Sequence, residues 1–223
     1  MEPNGSGSIE RCAATAGFAC RSAPTRPWSF KHLLIWKGGI MRNKPVELVI
    51  AGVGGQGVLF VTGLLAEAAM KAGFDVLASE THGMAQRGGT VLSHLRVGDV
   101  KSPLVRTGSA DAILVLRQDV LPVASVFLRP EGMAVVNAGR PVPPEEGRLM
   151  ACIDAEPIAA AIGDFKTVNV IVLGFFLQQI ERHPERLPMP VWRCADVREM
   201  LSTKRLKASG IEAFDRGYHE LTS

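Results

Sequence analysis

Runs of consecutive apolar residues, rich in β-branched types, alternate along this chain with longer stretches of helical periodicity. Within Val46–Gly57 the apolar run reads as a buried strand and the glycines as a tight turn, and the stretch from Val58 reads as an apolar helix stopped by Gly73. Phe74–Ser79 predicts a second strand, and the alternating Thr90–Val97 a third. Ala110–Leu116, Met133–Asn137 and Leu149–Ile153 predict further buried strands, with a helix over Asp119–Leu128 that ends at Arg129–Gly132. Asp154–Gly163 reads as a short helix, Thr167–Gln179 as a helix apolar nearly all round, Val191–Leu201 as a helix introduced by prolines, and the stretch from Ala208 as a terminal helix. Strands in β-α-β order that are apolar on both faces predict an α/β fold: a single Rossmann-like domain, its mostly parallel sheet covered by helices on both faces. The helix around Ile171–Leu177 buries so much that it calls for a large domain or a partner subunit.

Residues 1–40 break this pattern. Gly-Ser repeats, Pro24, Pro27 and scattered small residues predict a disordered or non-native N-terminal extension, ahead of a domain over 41–223 that starts naturally at Met41. The net charge of +3 sits in that arm, where five Lys/Arg face two Glu; the other 20 basic and 20 acidic residues cancel. No dense basic run supplies a nucleic-acid face, and no apolar stretch is long enough to span a membrane. Cys12, Cys20, Cys152 and Cys194 form no C-x-x-C, so the chain alone ligates no metal or iron–sulfur cluster, and they read as reduced thiols of a cytoplasmic protein.

Two polar interruptions carry the candidate chemistry. Gly52, Gly54 and Gly57 have dinucleotide-fingerprint spacing between a strand and a helix, where backbone N–H groups can approach an anion closely; Gly54, Gly55, Gln56 and Gly57 make up the turn. Asp75 and Glu80 flank the region where a ribose-binding acid would sit. The loop Glu80-Thr-His-Gly-Met-Ala-Gln-Arg-Gly-Gly89 then gathers Glu80, His82, Met84, Gln86 and Arg87 beside Gly88 and Gly89, and α/β sheets place ligands in such loops. Arg87, with two glycines allowing close approach, suits an anionic group of coenzyme A, of a substrate or of a partner chain. His94, inside an alternating strand, reads as a hydrogen-bonded structural histidine.

Ala51-Gly-Val-Gly-Gly-Gln-Gly57, Ser79-Glu-Thr-His-Gly-Met-Ala-Gln-Arg-Gly-Gly-Thr90 and Ser102-Pro-Leu104 together resemble the gamma-type domain of 2-oxoacid:ferredoxin oxidoreductases, here the pyruvate/ketoisovalerate gamma-type catalytic domain over 41–223. The His-Gly-Met-Ala-Gln-Arg-Gly-Gly form is similar to the beta subunit of the indolepyruvate branch, and the resemblance runs from about Val46 to Tyr218. It implies one subunit of an enzyme that oxidatively decarboxylates an aryl 2-oxoacid to an acyl-CoA, with electrons passing to ferredoxin. It further implies an alpha-subunit partner that holds thiamine diphosphate and the iron–sulfur clusters, coenzyme A as co-substrate, and no cofactor bound by this chain alone. A different class stays open beside it: a free-standing Rossmann NAD-dependent oxidoreductase using the Gly52–Gly57 turn. A third is a binding module recruiting a protein through the 168–177 helix.

Overall fold

The computed structural model describes residues 44–82, 89–204 and 208–220. Its six strands are β1 (Val46–Val53), β2 (Val76–His82), β3 (Thr90–Val97), β4 (Ala110–Val115), β5 (Leu128–Asn137) and β6 (Leu149–Ile153). They form one sheet in the order β2-β3-β1-β4-β5-β6. β1, β4, β5 and β6 run parallel, while β3 pairs antiparallel with both β1 and β2. β1 is fully buried over nearly its whole length, as its unbroken apolar run requires.

Helices α1 (Val58–Lys71), α3 (Ala155–Ile162), α4 (Val168–Arg182), α5 (Cys194–Thr203) and α6 (Ala208–His219) pack into one core with Leu48, Ile50, Leu95, Leu114 and Val135 of the sheet. α4 lies between the sheet and α6. That position explains an apolar surface all round: Ile171, Val172, Leu173, Phe175 and Phe176 are wholly inaccessible within the domain itself. The expected recruitment of a partner through this helix is therefore corrected, because α6 already covers its outer side.

The second face of the sheet is more thinly covered. The helix expected over 119–128 is broken into a single α turn, α2 (Leu121–Ala124), flanked by 3-10 turns, with Pro122 at its start. Against Val49, Ala51, Ile113, Val115 and Val136 this face receives Val120, Ala124 and the loop residue Val105. Val123 and Val126 are about half exposed on its outer side. Residues 129–132 fall within β5, which begins at Leu128, but none of them pairs with β4: the register passes from Ala110 with Leu128 to Ala112 with Met133, leaving 129–132 bulged between. Pairing with β3 carries β2 on to His82, so Glu80 and His82 stand on a strand and not in a loop.

The amino end of the sheet is locked by a buried carboxylate. Asp111, with no accessible surface, accepts from the Glu47 N–H at 2.9 Å and lies 3.2 Å from Lys44 Nζ and 3.3 Å from Arg129 Nε. Burial raises its pKa above the ordinary aspartate value, and the Glu47 N–H and the Lys44 and Arg129 charges oppose that rise.

Candidate functional site

The carboxyl ends of the four parallel strands face one edge of the domain. β1 leads through α1 toward β2 on one side, whereas β4 leads toward β5 and β6 on the other, so the direction of winding reverses between β1 and β4. Open α/β sheets bind ligands in the crevice at such a reversal. The glycine turn of residues 54–57 stands there, immediately after β1.

Its geometry is specific. Gln56 N–H donates to the Val53 carbonyl at 3.1 Å, and Gln56 Oε1 accepts the Val53 N–H at 2.9 Å, so the Gln56 side chain closes the turn upon itself. Gly55 and Gly57 adopt left-handed backbone at φ 94° and 80°, and Gly57 caps α1 without a side chain. The Gly55 and Gly57 N–H groups have no acceptor among the described residues, and the first turn of α1 leaves its own N–H groups open, as helix starts do. The turn thus keeps two N–H donors without a described acceptor, a pattern suited to an oxyanion.

Among the described residues, the second motif meets the first through Gly89. Gly54 N–H donates to the Gly89 carbonyl at 3.0 Å, which ties the end of the 80–89 segment to the glycine turn. Glu80 is exposed near the end of β2, opposite Ser93 of β3. Met84, Gln86, Arg87 and Gly88 lie outside the described residues, and of His82 only its place in β2 is described.

Beside the turn, the ends of β4, β5 and β6 border an open cleft of ≈ 450 Å³ lined by Arg117, Gln118, Asp119, Asn137, Gly139, Asp154 and Glu156. Arg117 and Asp119 are paired at 3.0 Å. Asn137 is buried and structural: its Nδ2 donates to the Leu116 carbonyl at 3.2 Å and its Oδ1 accepts the Ala155 N–H at 3.0 Å. These residues, and Asn169 at the start of α4, were missed by motif reading. The signal that could have found them is positional, because all but Asn169 and Glu156 lie at or within a few residues of the carboxyl ends of β4, β5 and β6.

The inserted antiparallel β3 bears on the dinucleotide reading. A ribose-binding acid works from the end of a strand adjacent to β1. Here β2 is one strand further away, so Glu80 stands two strand spacings from β1, about 10 Å, and not one. His94, expected to be hydrogen-bonded, is buried with its edge against Phe127 at 5.1 Å between ring centroids, and its Nδ1 has no partner among the described residues. Desolvation lowers its pKa. It lies within the second core face as packing, not as a catalytic base.

Cys12 and Cys20 lie outside the described residues, and the two described cysteines do not fit an iron–sulfur cluster. Cys152 packs on the second face of the sheet and Cys194 on the helix-covered first face, so the two cannot share a cluster. Among the described residues no group of three His, Cys, Asp or Glu side chains is placed to hold a metal ion. No helix among them is long and apolar enough to cross a membrane.

The family model described as pyruvate ferredoxin/flavodoxin oxidoreductase matches residues 47–220, from β1 to the end of α6. The chain belongs to that family. Within the pyruvate ferredoxin/flavodoxin oxidoreductase family, it is 31% identical to indolepyruvate oxidoreductase subunit IorB of Archaeoglobus fulgidus, over 80% of this chain and 96% of the relative. The IorB of Thermococcus kodakarensis is 36% identical over 60% of this chain and 78% of its own length. In fold the chain is similar to the pyruvate oxidoreductase subunit PORC of Thermotoga maritima, with a TM-score of 0.64 at 22% identity, covering 79% of this chain and 97% of that one. It is also similar to part of the 2-oxoglutarate:ferredoxin oxidoreductase of Magnetococcus marinus, with a TM-score of 0.62 at 21% identity, covering 78% of this chain and 30% of that one. The free-standing dehydrogenase reading finds no support in these relatives or in the position of Glu80.

Proposed function

We propose that this chain is the beta-type subunit of an indolepyruvate-type 2-oxoacid:ferredoxin oxidoreductase. The enzyme converts an aryl 2-oxoacid and coenzyme A into acyl-CoA and carbon dioxide, two electrons passing to ferredoxin. The observation that carries the reading is the near end-to-end match to an IorB subunit, which extends over both glycine motifs. Thiamine diphosphate supplies the carbanion chemistry and iron–sulfur clusters carry the electrons, both held by an alpha subunit in this reading. This chain contributes shape, orientation and electrostatics: the donors of the 54–57 turn and the guanidinium of Arg87 hold anionic groups of coenzyme A, of substrate or of the partner subunit.

The test is co-expression with a thiamine-dependent, cysteine-rich alpha subunit. The two chains co-elute, and the complex reduces ferredoxin with indolepyruvate and coenzyme A faster than with pyruvate. A chain that never co-elutes with that partner refutes the reading; a complex that prefers pyruvate refutes the indolepyruvate assignment. Arg87 is tested in the same complex. Arg87→Ala lowers turnover at least about tenfold, equivalent to ~1.4 kcal/mol of barrier. Arg87→Lys keeps the charge but loses the planar fork, and recovers only part of that loss. Full turnover in Arg87→Ala with an unchanged melt removes Arg87 from the site.

A further inference from the structure

β6 is an edge strand, paired with β5 on one side only. The Ile153 carbonyl accepts the Ala138 N–H at 2.9 Å, so the backbone groups of Ile153 face β5, and alternation turns those of Ala151 and Leu149 the same way. The N–H and C=O groups of Met150 and Cys152 therefore point away from the sheet, without a partner among the described residues. Native sheet edges are guarded by charge, proline or a bulge. The opposite edge, β2, carries exposed Glu80. β6 carries none of the three: Leu149-Met-Ala-Cys-Ile153 is apolar throughout, holds an unbroken register with β5, and leaves Met150 and Cys152 only partly buried.

We propose that the β6 edge binds the same edge of a second copy of this chain, antiparallel about a twofold axis at Ala151, joining the two sheets into one. The strand is its own complement. When Met150 faces Cys152 of the second copy, both outward residues of each strand exchange N–H···O bonds with the other. A shift of two residues either way leaves one such pair within the strands. The favoured register also sets Arg148 of each copy opposite Asp154 of the other, just beyond the strand ends. Arg148 is held in place by Glu145 and the Leu128 carbonyl. Asp154 is exposed, makes no ion pair among the described residues and does not cap α3 with its side chain. A strand of unrelated sequence would satisfy the backbone groups but not these flanking charges, which favours a second copy as the occupant. The pairing goes beyond the proposed function and uses neither the 54–57 turn nor Arg87.

Sedimentation equilibrium of the full chain, 23.9 kDa as a monomer, tests this together with hydrogen exchange read at single amides. The wild type sediments at twice that mass. On dilution to monomer the Met150 and Cys152 amides lose protection at least about tenfold, while those of Ala151 and Ile153 keep theirs. Asp154→Arg sets like charges opposite each other at both ends and raises the dimer dissociation constant at least about tenfold. Cys152→Pro removes an outward donor that β5 does not use, and abolishes the dimer. If a melt shows that the proline variant does not fold, Asp154→Arg decides. A monomeric wild type, a dimer that survives the variants that fold, or a dimer whose Met150 and Cys152 amides exchange freely overturns the proposal. Protection of those two amides that arises only on adding the alpha subunit overturns it as well, because the edge then belongs to that subunit.

Discussion

Gly55 and Gly57 share left-handed backbone but not surroundings. A Cβ on Gly55 meets nothing within 4 Å, whereas one on Gly57 runs into Asn169. A left-handed alanine costs roughly 1–2 kcal/mol in either case. Gly55→Ala thus isolates backbone strain, and Gly57→Ala adds the collision. The expected outcome is a fall of about 2–8 °C in melting temperature for Gly55→Ala and a larger one for Gly57→Ala, at roughly 2–4 °C per kcal/mol. The extra fall is recovered in Gly57→Ala with Asn169→Ala. Equal falls in the two single variants would show that Asn169 yields freely. His94 makes a second residue-level prediction. Its folded pKa lies below the unfolded one, so the unfolded chain takes up a proton first as the pH drops below about 6.5. Stability is fully present above that pH and is lost on the acid side, down toward the folded pKa. Asp111 acts with the opposite sign, its raised folded pKa favouring the folded state as the pH falls toward the ordinary aspartate value of 3.8. Melts at pH 7.5 and 5.5 should therefore differ less in His94→Leu than in the wild type; an unchanged difference would mean that His94 is not the group titrating. Much of this scale was legible in sequence, since the spacing of Gly54 and Gly57 placed the turn. The Asn169 carboxamide beside it was not, because Asn169 is 112 positions beyond Gly57 and only the packing of α4 brings them together.

At the scale of elements, apolar periodicity located β1, β3, β4, β6 and α3 closely, because each is stopped by a residue with a local cause, such as left-handed Gly163 after α3. It failed at 119–132, where one proline-started turn and a strand stand in place of a helix and its loop. β5 pairs with β4 at Leu128 and again from Met133, with 129–132 bulged between. α4 was misjudged for a related reason: its all-round apolarity answers to α6, and the pairing depends on two small residues. A Cβ on Gly174 would lie 2.3 Å from the Phe214 carbonyl oxygen, and one on Gly217 would lie 2.0 Å from that of Ile171. Neither obstacle is a side chain that can swing aside. Gly217→Ala must push the helices apart, so its cost falls at or above the upper end of the usual 1–3 kcal/mol for overpacking. Thermal melts of Gly217→Ala beside Gly63→Ala check this, because Gly63 is helical, exposed and has no neighbour within 4 Å of its Cβ position. Gly63→Ala should be neutral or stabilising, by up to about 1 kcal/mol. Comparable melts for the two variants would show that the contact between α4 and α6 adapts.

For the molecule as a whole, the sequence order of strands conveyed an α/β class but could not convey that β3 inserts between β1 and β2, since an alternating strand pairs equally well with either neighbour. That insertion carries the function argument, because it moves Glu80 away from the place where a dinucleotide ribose would lie. Among the described residues, both core clusters and the six strands lie in the compact unit Arg42–Ser223. The composition of the first forty residues offers few large apolar side chains outside Trp28–Ile40, too few to offset the entropy of ordering so long a segment, about 1–2 kcal/mol per residue. Deleting residues 1–40 should therefore leave the melting temperature within about 1–2 °C, because a loss of ~1 kcal/mol would already lower it by roughly 2–4 °C in a domain of this size. The shortened chain should also co-elute with the alpha subunit as the full chain does. A larger fall in the melt would show that the arm buries surface of its own against the domain, and lost co-elution with an unchanged melt would assign it to assembly of the complex.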